Sequence, residues 1–254
     1  MSGAGMSVPA TSKDRTDEMM AVVDATWPPA EIRRADPFVL RRGGGGGKRV
    51  SAASALTTEI SAAQIDVAEA AMREMGQGPL FSIRPGDAAL DAALEARGYT
   101  VVDPVLIYAA PAATLTALDK GASPERVSLT AWEPLAIQRE IWEAGGIGPA
   151  RLAVMERAAG PKTSLIGRYD NVPGGTAYVA LHGAVAMLHA LEIVPEVRGR
   201  RMGRAMMIDA ARWAQAQGAQ DLAVVVTRAN IGGNALYRSL GMAQVGAYHY
   251  RQGS

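Results

Sequence analysis

The chain has 254 residues, of which 48% are apolar and 20% are charged, and its formal net charge at pH 7 is +1. A net charge this close to zero argues against a nucleic-acid partner or an anionic membrane surface. The sequence has no cysteine, which excludes disulfides and a thiol nucleophile, and its three histidines are too scattered to indicate a metal site. Neither a signal-peptide apolar segment nor an apolar run of about 18 residues is present, so we expect a cytoplasmic protein.

The N-terminal half is predicted to alternate helices and strands after a tail, residues 1–17, that is disordered or loosely attached. Apolar periodicity predicts, in chain order, a helix over 18–26, strands over 38–42 and 49–56, a helix over 62–75, a strand over 80–83, a helix over 88–97 and a strand over 100–109.

Five consecutive glycines, residues 43–47, precede Lys48 in this half. The P-loop pattern fails here because Arg42 stands where its first glycine belongs and Arg49 where Ser or Thr must reach magnesium. We therefore predict a flexible hairpin tip between two strands.

A linker over 111–125 leads into the second half. Its predicted elements are a strand over 127–132, helices over 134–144 and 150–159, hairpin strands over 163–169 and 176–182, a helix over 202–217 and strands over 221–227 and 243–250. Three glycines break the helix pair and predict a mobile lip. Trp142 and Arg151 are candidates to meet a substrate, although a helical Trp is more often core.

Residues 184–207 carry the clearest functional pattern: an apolar strand, Pro195, a turn rich in Arg and Gly, and the start of a helix. The first turn of a helix leaves about four N–H groups unpaired, and the helix dipole adds positive potential there. The charged and flexible residues of this turn are Arg198, Gly199, Arg200, Arg201, Gly203 and Arg204. Together they predict a diphosphate site, the alternative being a basic helix start on a solvated surface.

The turn resembles the acyl-CoA loop of the GNAT superfamily of N-acetyltransferases, Q/R-x-x-G-x-G/A. Arg198 holds its first position and Gly203 its last, while Arg201 replaces the first motif glycine. Residues 230–242 resemble the second motif, N-x-x-x-N-x-L-Y-x-x-x-G-F, with Met242 in place of Phe. Both motifs occur in the family's order, and the resemblance covers residues 125–251.

The resemblance implies an α/β (α+β) fold, with a mixed, mostly antiparallel central sheet flanked by helices and strands that splay at the acyl-CoA site. An ungapped offset of 143 residues, which aligns Gly241 with Gly98, also superposes the strand patterns over 223–226 and 80–83. We therefore predict a tandem GNAT-like chain. Its parts are a degenerate half over 18–110 without a CoA site, the linker over 111–125 and an acetyltransferase domain over 126–254.

The implied activity is acetyl-CoA-dependent N-acetyl transfer to a primary amine of a small molecule or peptide, with acetyl-CoA as acyl donor, no metal, and a monomer or homodimer. Tyr237 is the implied general acid to the CoA thiolate. Glu192 is a candidate base acting through water, or a structural carboxylate. His189 falls on the opposite face of a regular strand and is expected to be an interior residue.

The implied contacts with the acyl donor share the strand end, the basic turn and the second motif. They are Leu191, Glu192, Ile193, Val194, Arg198, Gly199, Arg200, Arg201, Met202, Gly203, Arg204, Asn230, Asn234 and Tyr237. Simple helix capping is an open alternative for the two asparagines. A non-catalytic acyl-CoA-binding sensor or scaffold is the alternative function, whereas nucleic-acid binding by the arginines conflicts with the net charge and lacks interleaved aromatic residues.

Overall fold

The computed structural model describes residues 12–119, 121 and 126–253, without the side chains of residues 12–14, 126 and 127. The helices are α1 Ser12–Thr26, α2 Ala62–Glu74, α3 Ala88–Ala96, α4 Ala112–Thr116, α5 Ala136–Ala144, α6 Pro149–Arg157, α7 Met202–Ala216 and α8 Ile231–Ser239. The strands are β1 Glu31–Ala35, β2 Phe38–Arg42, β3 Ser54–Ala55, β4 Leu80–Ile83, β5 Thr100–Pro111, β6 Arg126–Ala131, β7 Lys162–Tyr169, β8 Val172–His182, β9 Val185–Ile193, β10 Asp221–Thr227 and β11 Ala243–Gln252.

Two sheets organise these elements. The large sheet has eight strands in the order β4-β11-β5-β10-β9-β8-β7-β6, and β1, β2 and β3 form a small second sheet. Neighbours in the large sheet are antiparallel except β9 and β10, which run parallel. The predicted mixed, mostly antiparallel sheet flanked by helices is thus confirmed.

The two halves exchange their last strands at the centre of the large sheet. Strand β5 of the first half lies between β10 and β11 of the second, and β11 lies between β5 and β4 of the first. The same offset of 143 residues (231 − 88) that relates α8 to α3 also relates the strand pairs, since the pair Gln252↔Leu80 corresponds to the pair Ala223↔Ala109. The pair Tyr248↔Val105 corresponds to itself, so a local two-fold relation passes through it.

This exchange makes one sheet continuous across both predicted halves, whose exact bounds stay a prediction. One face of the sheet is covered by α7, α8 and α4, and the other by α1, α5 and α6. The small sheet packs with α2 and α3 in a separate apolar cluster around Phe38 and Phe81. Among the described residues, no helix is long and apolar enough to cross a membrane.

The prediction of a loose tail over 1–17 is wrong for residues 12–17, because α1 already begins at Ser12. The apolar side of this helix, with Met19, Val22 and Val23, is buried against β5 and β11, and Arg15 Nη2 donates to Asp221 Oδ2 at 2.8 Å. Tertiary packing therefore extends a helix whose first turn has no apolar periodicity. Residues 1–11 lie outside the described part.

Three other expected elements also differ. The linker contains α4, which buries Ala112 and Leu115, while residues 120 and 122–125 of it lie outside the described part. The strand over 49–56 is instead a 3-10 turn, Lys48–Val50, followed by the short β3. Strand β1 was missed because its side chains are mostly exposed and give no alternating apolar pattern.

The predicted flexible glycine tip is a packed contact between the halves. A Cβ at Gly46 would lie 2.5 Å from Val154 Cγ2 on α6 and 3.0 Å from Val50 Cγ2. A Cβ at Gly45 would lie 3.2 Å from Ala150 Cβ, also on α6. The glycines are therefore needed because they let the first half approach α6 closely.

We expect Gly46→Ala to lower the free energy of unfolding by about 1–3 kcal/mol, since its methyl group would overpack the contact with Val154. Gly78→Ala is the matched control, because a Cβ at Gly78 has no heavy atom within 4 Å. Urea unfolding of both variants checks this, and equal midpoints would contradict the assigned role of the glycine loop.

Candidate active site

Strands β9 and β10 separate at one end and leave an open slot. They pair in parallel from Val185↔Asp221 to Leu188↔Val224. Beyond that point β10 stays paired with β5 to Thr227, and β9 stays paired with β8 to Ile193. The edge of β9 over residues 189–193 that faces β10 is therefore without strand partners in the described sheet, as the resemblance implies.

A β-bulge in β9 lies at the start of this slot. The pairs Tyr178↔His189 and Thr176↔Glu192 leave two residues of β9 opposite one of β8, and the bulged Ala190 has φ 52°. The indole Nε1 of Trp142 on α5 donates to the Ala190 carbonyl at 2.7 Å. Trp142 is fully buried, so it belongs to the core and fixes the bulge.

The bulge corrects the predicted orientation of two side chains. His189 packs with Trp27 and Tyr178 on the face that α5 covers. Glu192 lies on the same face, because a Cβ at Gly145, just after α5, would be 2.7 Å from Glu192 Oε2. The prediction that they face opposite sides is wrong, since the extra residue shifts the strand alternation by one.

His189 is an interior residue, as expected. Its Nε2 lies 2.9 Å from Thr26 Oγ1, whose own hydrogen goes to the Val22 carbonyl, and its Nδ1 lies 3.2 Å from Arg49 Nη1. The ring therefore donates from Nε2 and accepts at Nδ1. Burial, together with the Arg49 cation, holds the pKa of His189 well below its usual range, and the residue stays neutral.

The basic turn ends in an uncapped helix. Gly199 has φ 76°, and Arg201, the N-cap of α7, has φ 62° and ψ 16°. The first helical hydrogen bond runs from the Ala205 N–H to the Arg201 carbonyl at 3.1 Å, and no described side chain caps the helix. The three preceding amides, 202–204, are thus free to bind an anion.

A cavity of about 1380 Å³ joins the strand slot to the helix start and to α8. The expected contact residues that line it are Leu191, Glu192, Ile193, Arg198, Gly199, Arg201, Met202, Gly203, Arg204, Asn230 and Tyr237. The sequence analysis missed Gly232 and Gly233, which also line it and could have been found as two adjacent glycines in the first turn of α8.

Three expected contacts do not line this cavity. The Val194 N–H donates to the Gly174 carbonyl at 3.0 Å, and the Arg200 guanidinium lies over the Tyr169 ring at 5.3 Å. Asn234 is buried, and its amide nitrogen donates to the carbonyls of Asn230 at 2.7 Å and Thr227 at 3.0 Å. We therefore correct its expected role from contact with the acyl donor to holding the loop before α8.

Tyr237 and Asn230 lie on opposite sides of the first turns of α8. The Asn230 side chain accepts from the Gly233 N–H at 2.8 Å, so it caps the helix. Tyr237 is 7% exposed, and its ring centroid lies 5.9 Å from that of Tyr108. Burial raises the pKa of Tyr237 to about 12, so its hydroxyl is protonated at neutral pH.

Arg198 and Glu192 form an ion pair at the mouth of the slot. Arg198 Nη2 donates to Glu192 Oε1 at 3.1 Å, and Arg198 Nε donates to the Ile193 carbonyl at 2.9 Å. The pair holds the carboxylate between the slot and the loop after α5.

The corresponding position in the first half is filled by protein. Arg84, which follows β4, donates from Nη2 to the Ala55 carbonyl at 2.5 Å and pairs with Asp17 at 3.2 Å. Leu94, which the offset aligns with Tyr237, is fully buried. The described residues contain no cluster of three or more His, Asp or Glu side chains that could hold a metal ion.

Comparison with known proteins identifies the class. Residues 131–242 match the model of the acetyltransferase (GNAT) family. The C-terminal part of this chain is therefore a GNAT domain, and the family supports acyl-CoA-dependent acetyl transfer in general. A comparison with curated proteins gives no match.

Solved structures show the same fold over nearly the whole chain. A GCN5-related N-acetyltransferase from Kribbella flavida has a TM-score of 0.72 at 17% identity, covering 93% of this chain and 95% of that one. A tandem GNAT protein from the clavulanic acid biosynthesis pathway has a TM-score of 0.62 at 12% identity, covering 92% and 86%. A functionally unknown conserved protein from Staphylococcus epidermidis ATCC 12228 has a TM-score of 0.65 at 11% identity, covering 90% and 95%.

We expect Arg201→Gly to be more stable than Arg201→Ala by about 1 kcal/mol, because only glycine adopts a left-handed backbone without strain. Both changes remove the same guanidinium group. At Arg204, inside the helix, the order should reverse by a similar amount. Thermal unfolding of the four variants checks this, and Arg201→Ala equal to or above Arg201→Gly would contradict the strain.

Proposed function

We propose that the protein is an acetyl-CoA-dependent N-acetyltransferase that moves an acetyl group to a primary amine of a small molecule or peptide by direct attack. The observation that carries this proposal is the single cavity that connects the open edge of β9, the uncapped start of α7 and the Tyr237 side chain.

The start of α7 fits a diphosphate in shape and charge. The amides of residues 202–204 donate into the cavity, and the guanidinium groups of Arg201 and Arg204 line it. A Cβ at Gly203 would lie 3.1 Å from Leu236 Cδ2, so a larger residue would crowd the wall between α7 and α8. These residues would bind the phosphate end of acetyl-CoA.

The open edge of β9 would hold the pantetheine arm like an added strand. The amides and carbonyls of Leu191 and Ile193 are available because β10 has diverged from them. A main-chain N–H at this edge would polarise the thioester carbonyl as the amine attacks. Acetyl-CoA supplies the acyl group and a thiolate leaving group.

Two side chains would move the protons. Glu192, on the face covered by α5, would accept a proton from the amine through water, and Arg198 would keep this carboxylate at the slot. Tyr237 would donate its hydroxyl proton to the departing thiolate, since its raised pKa, about 12, keeps that proton in place at neutral pH.

The second candidate function is a non-catalytic acyl-CoA-binding sensor or scaffold. The ion pair between Arg198 and Glu192 favours it, because this pair engages both the first arginine of the loop and the proposed base. Such a protein would bind acetyl-CoA with no turnover of any amine.

Acetyl-CoA at about 100 times its Kd should stabilise the protein by roughly 2.7 kcal/mol, measured as a shift of the thermal unfolding midpoint. Charge reversal of the two cavity arginines, Arg201→Glu with Arg204→Glu, should reduce the shift. The exposed Arg34→Glu in β1 should leave it unchanged. No shift at millimolar acetyl-CoA would exclude both candidate functions.

Tyr237→Phe should lower kcat by about 100-fold or more, because general acid catalysis contributes roughly 10²–10⁴. It should leave the acetyl-CoA-induced thermal shift in place. Tyr99→Phe, a buried tyrosine of the first half, is the control and should keep wild-type kcat. Release of free thiol with a panel of amines is the measurement, and an unchanged rate for Tyr237→Phe would remove it as the acid.

A further inference from the structure

The face of β9 that carries Glu192 is enclosed on one side by the loop between α5 and α6. Gly145 is in contact with the Glu192 side chain, since a Cβ there would lie 2.7 Å from Oε2. Arg151, in the first turn of α6, donates from Nη1 to the Gly146 carbonyl at 3.4 Å. The side chain of Arg151 therefore lies next to the loop that borders the proposed base.

The first half of the chain completes this enclosure. A Cβ at Gly47 would lie 3.8 Å from Arg151 Nε, and the chain continues through Lys48 to Arg49. Arg49 Nη1 contacts His189 Nδ1 at 3.2 Å, which returns the path to β9. Contacts of both halves thus form a closed ring around the amine-facing side of the strand slot. We name this ring the acceptor rim: Gly47, Lys48, Arg49, Gly145, Gly146, Arg151, His189 and Glu192.

The acceptor rim has two cations that no described carboxylate neutralises. Lys48 is paired with Asp103 at 2.9 Å, and Glu192 is paired with Arg198. Arg49 and Arg151, in contrast, form no ion pair with any acidic side chain in the described part of the chain. One end of the rim is therefore acidic, at Glu192, and the other end carries excess positive charge.

Arg49 is the more informative of these two cations. Its guanidinium contacts the neutral His189 and the face of Trp27, 5.8 Å from the ring centroid. Its Nε is buried and has no hydrogen-bond acceptor among the described residues. A buried guanidinium N–H without an acceptor is costly, and a planar carboxylate is the group that a guanidinium binds in two-pronged geometry.

The separation of the two ends suits a small molecule. Arg49 contacts His189, which precedes Glu192 by three residues, and three extended residues span at most about 10 Å. An amine at Glu192 and an anionic group at Arg49 would then belong to one molecule with a few bonds between them.

We propose that the amine acceptor carries a carboxylate, and that Arg49 of the first half, with Arg151 beside it, is the specificity-determining residue that binds this carboxylate. The assignment rests on the proposed N-acetyltransferase function and adds the chemical class of its acceptor, an amino acid or a similar small amino carboxylate. It also gives the first half of the chain a role in binding the acceptor.

Matched acceptor pairs test the class in the wild-type protein, which needs no variant to fold. Each pair is an amino acid and its amide, which have the same amine and side chain. We expect kcat/KM for the acid to exceed that for the amide by about 10–100-fold, mostly through KM. An aminoalkyl phosphate serves as a third arm, and a preference for it over every amino acid would overturn the carboxylate assignment.

Arg49→Gln should reduce the acid-to-amide ratio by about 10-fold or more while leaving kcat/KM for the amide close to wild type. Arg49→Lys keeps the charge without the planar fork and should give an intermediate ratio. Arg34→Gln, an exposed arginine of the same half, is the control and should keep the wild-type ratio. The thermal midpoint with acetyl-CoA shows that each variant is folded and still binds the donor.

Binding to the protein saturated with CoA separates this proposal from the proposed function. Calorimetric binding of amino acids but not of their amides, without turnover, would retain the acceptor class and reject the transferase. Equal turnover of acids and amides, or a ratio unaffected by Arg49→Gln and Arg151→Gln, would reject the acceptor class and retain the transferase. Neither binding nor turnover of any amino acid would also overturn the acceptor class.

Discussion

The antiparallel pairing of β5 with β11 is the constraint on which the rest of this molecule depends. Each strand is the last of its own half and lies within the sheet of the other half, and the local two-fold relation at Val105 and Tyr248 matches their registers. Because the exchange fixes the first half against the second, α1 and the glycine loop cover the face of β9 that carries His189 and Glu192. A half that only packed against its neighbour would have no such fixed position.

A second constraint acts within β9. The bulge at Ala190, held by the Trp142 indole, shifts the side-chain alternation just where β9 leaves β10. As a result the strand presents a free backbone edge to the cavity and directs Glu192 toward α5. The left-handed Arg201 has a comparable role at the next turn, since it redirects the chain so that α7 begins with its amides facing the same cavity. Local backbone irregularities therefore shape this site more than regular elements do.

Sequence patterns predicted the elements with strong periodicity well. The helices α2, α3 and α7 and the strands β4 and β10 lie within a few residues of their expected bounds, and the offset of 143 residues that aligns Gly241 with Gly98 also relates α3 and α8. The patterns failed where tertiary contacts override local preference: the polar first turn of α1, the packed Gly46 loop, the helix α4 and the exposed strand β1. They also placed Asn234 among the ligand contacts, although its buried amide is used by backbone carbonyls.

The sequence by itself determined the fold class, the position of the basic turn before α7 and the tyrosine of the second motif, because these depend on local periodicity and on residues close together in the chain. Only the tertiary structure decided that the halves exchange strands, that a bulge turns Glu192 and His189 to one face, and that Arg49 reaches His189. The physical reason is that strand pairing and bulge position depend on hydrogen bonds between residues far apart in sequence, and no local pattern records which edges will meet.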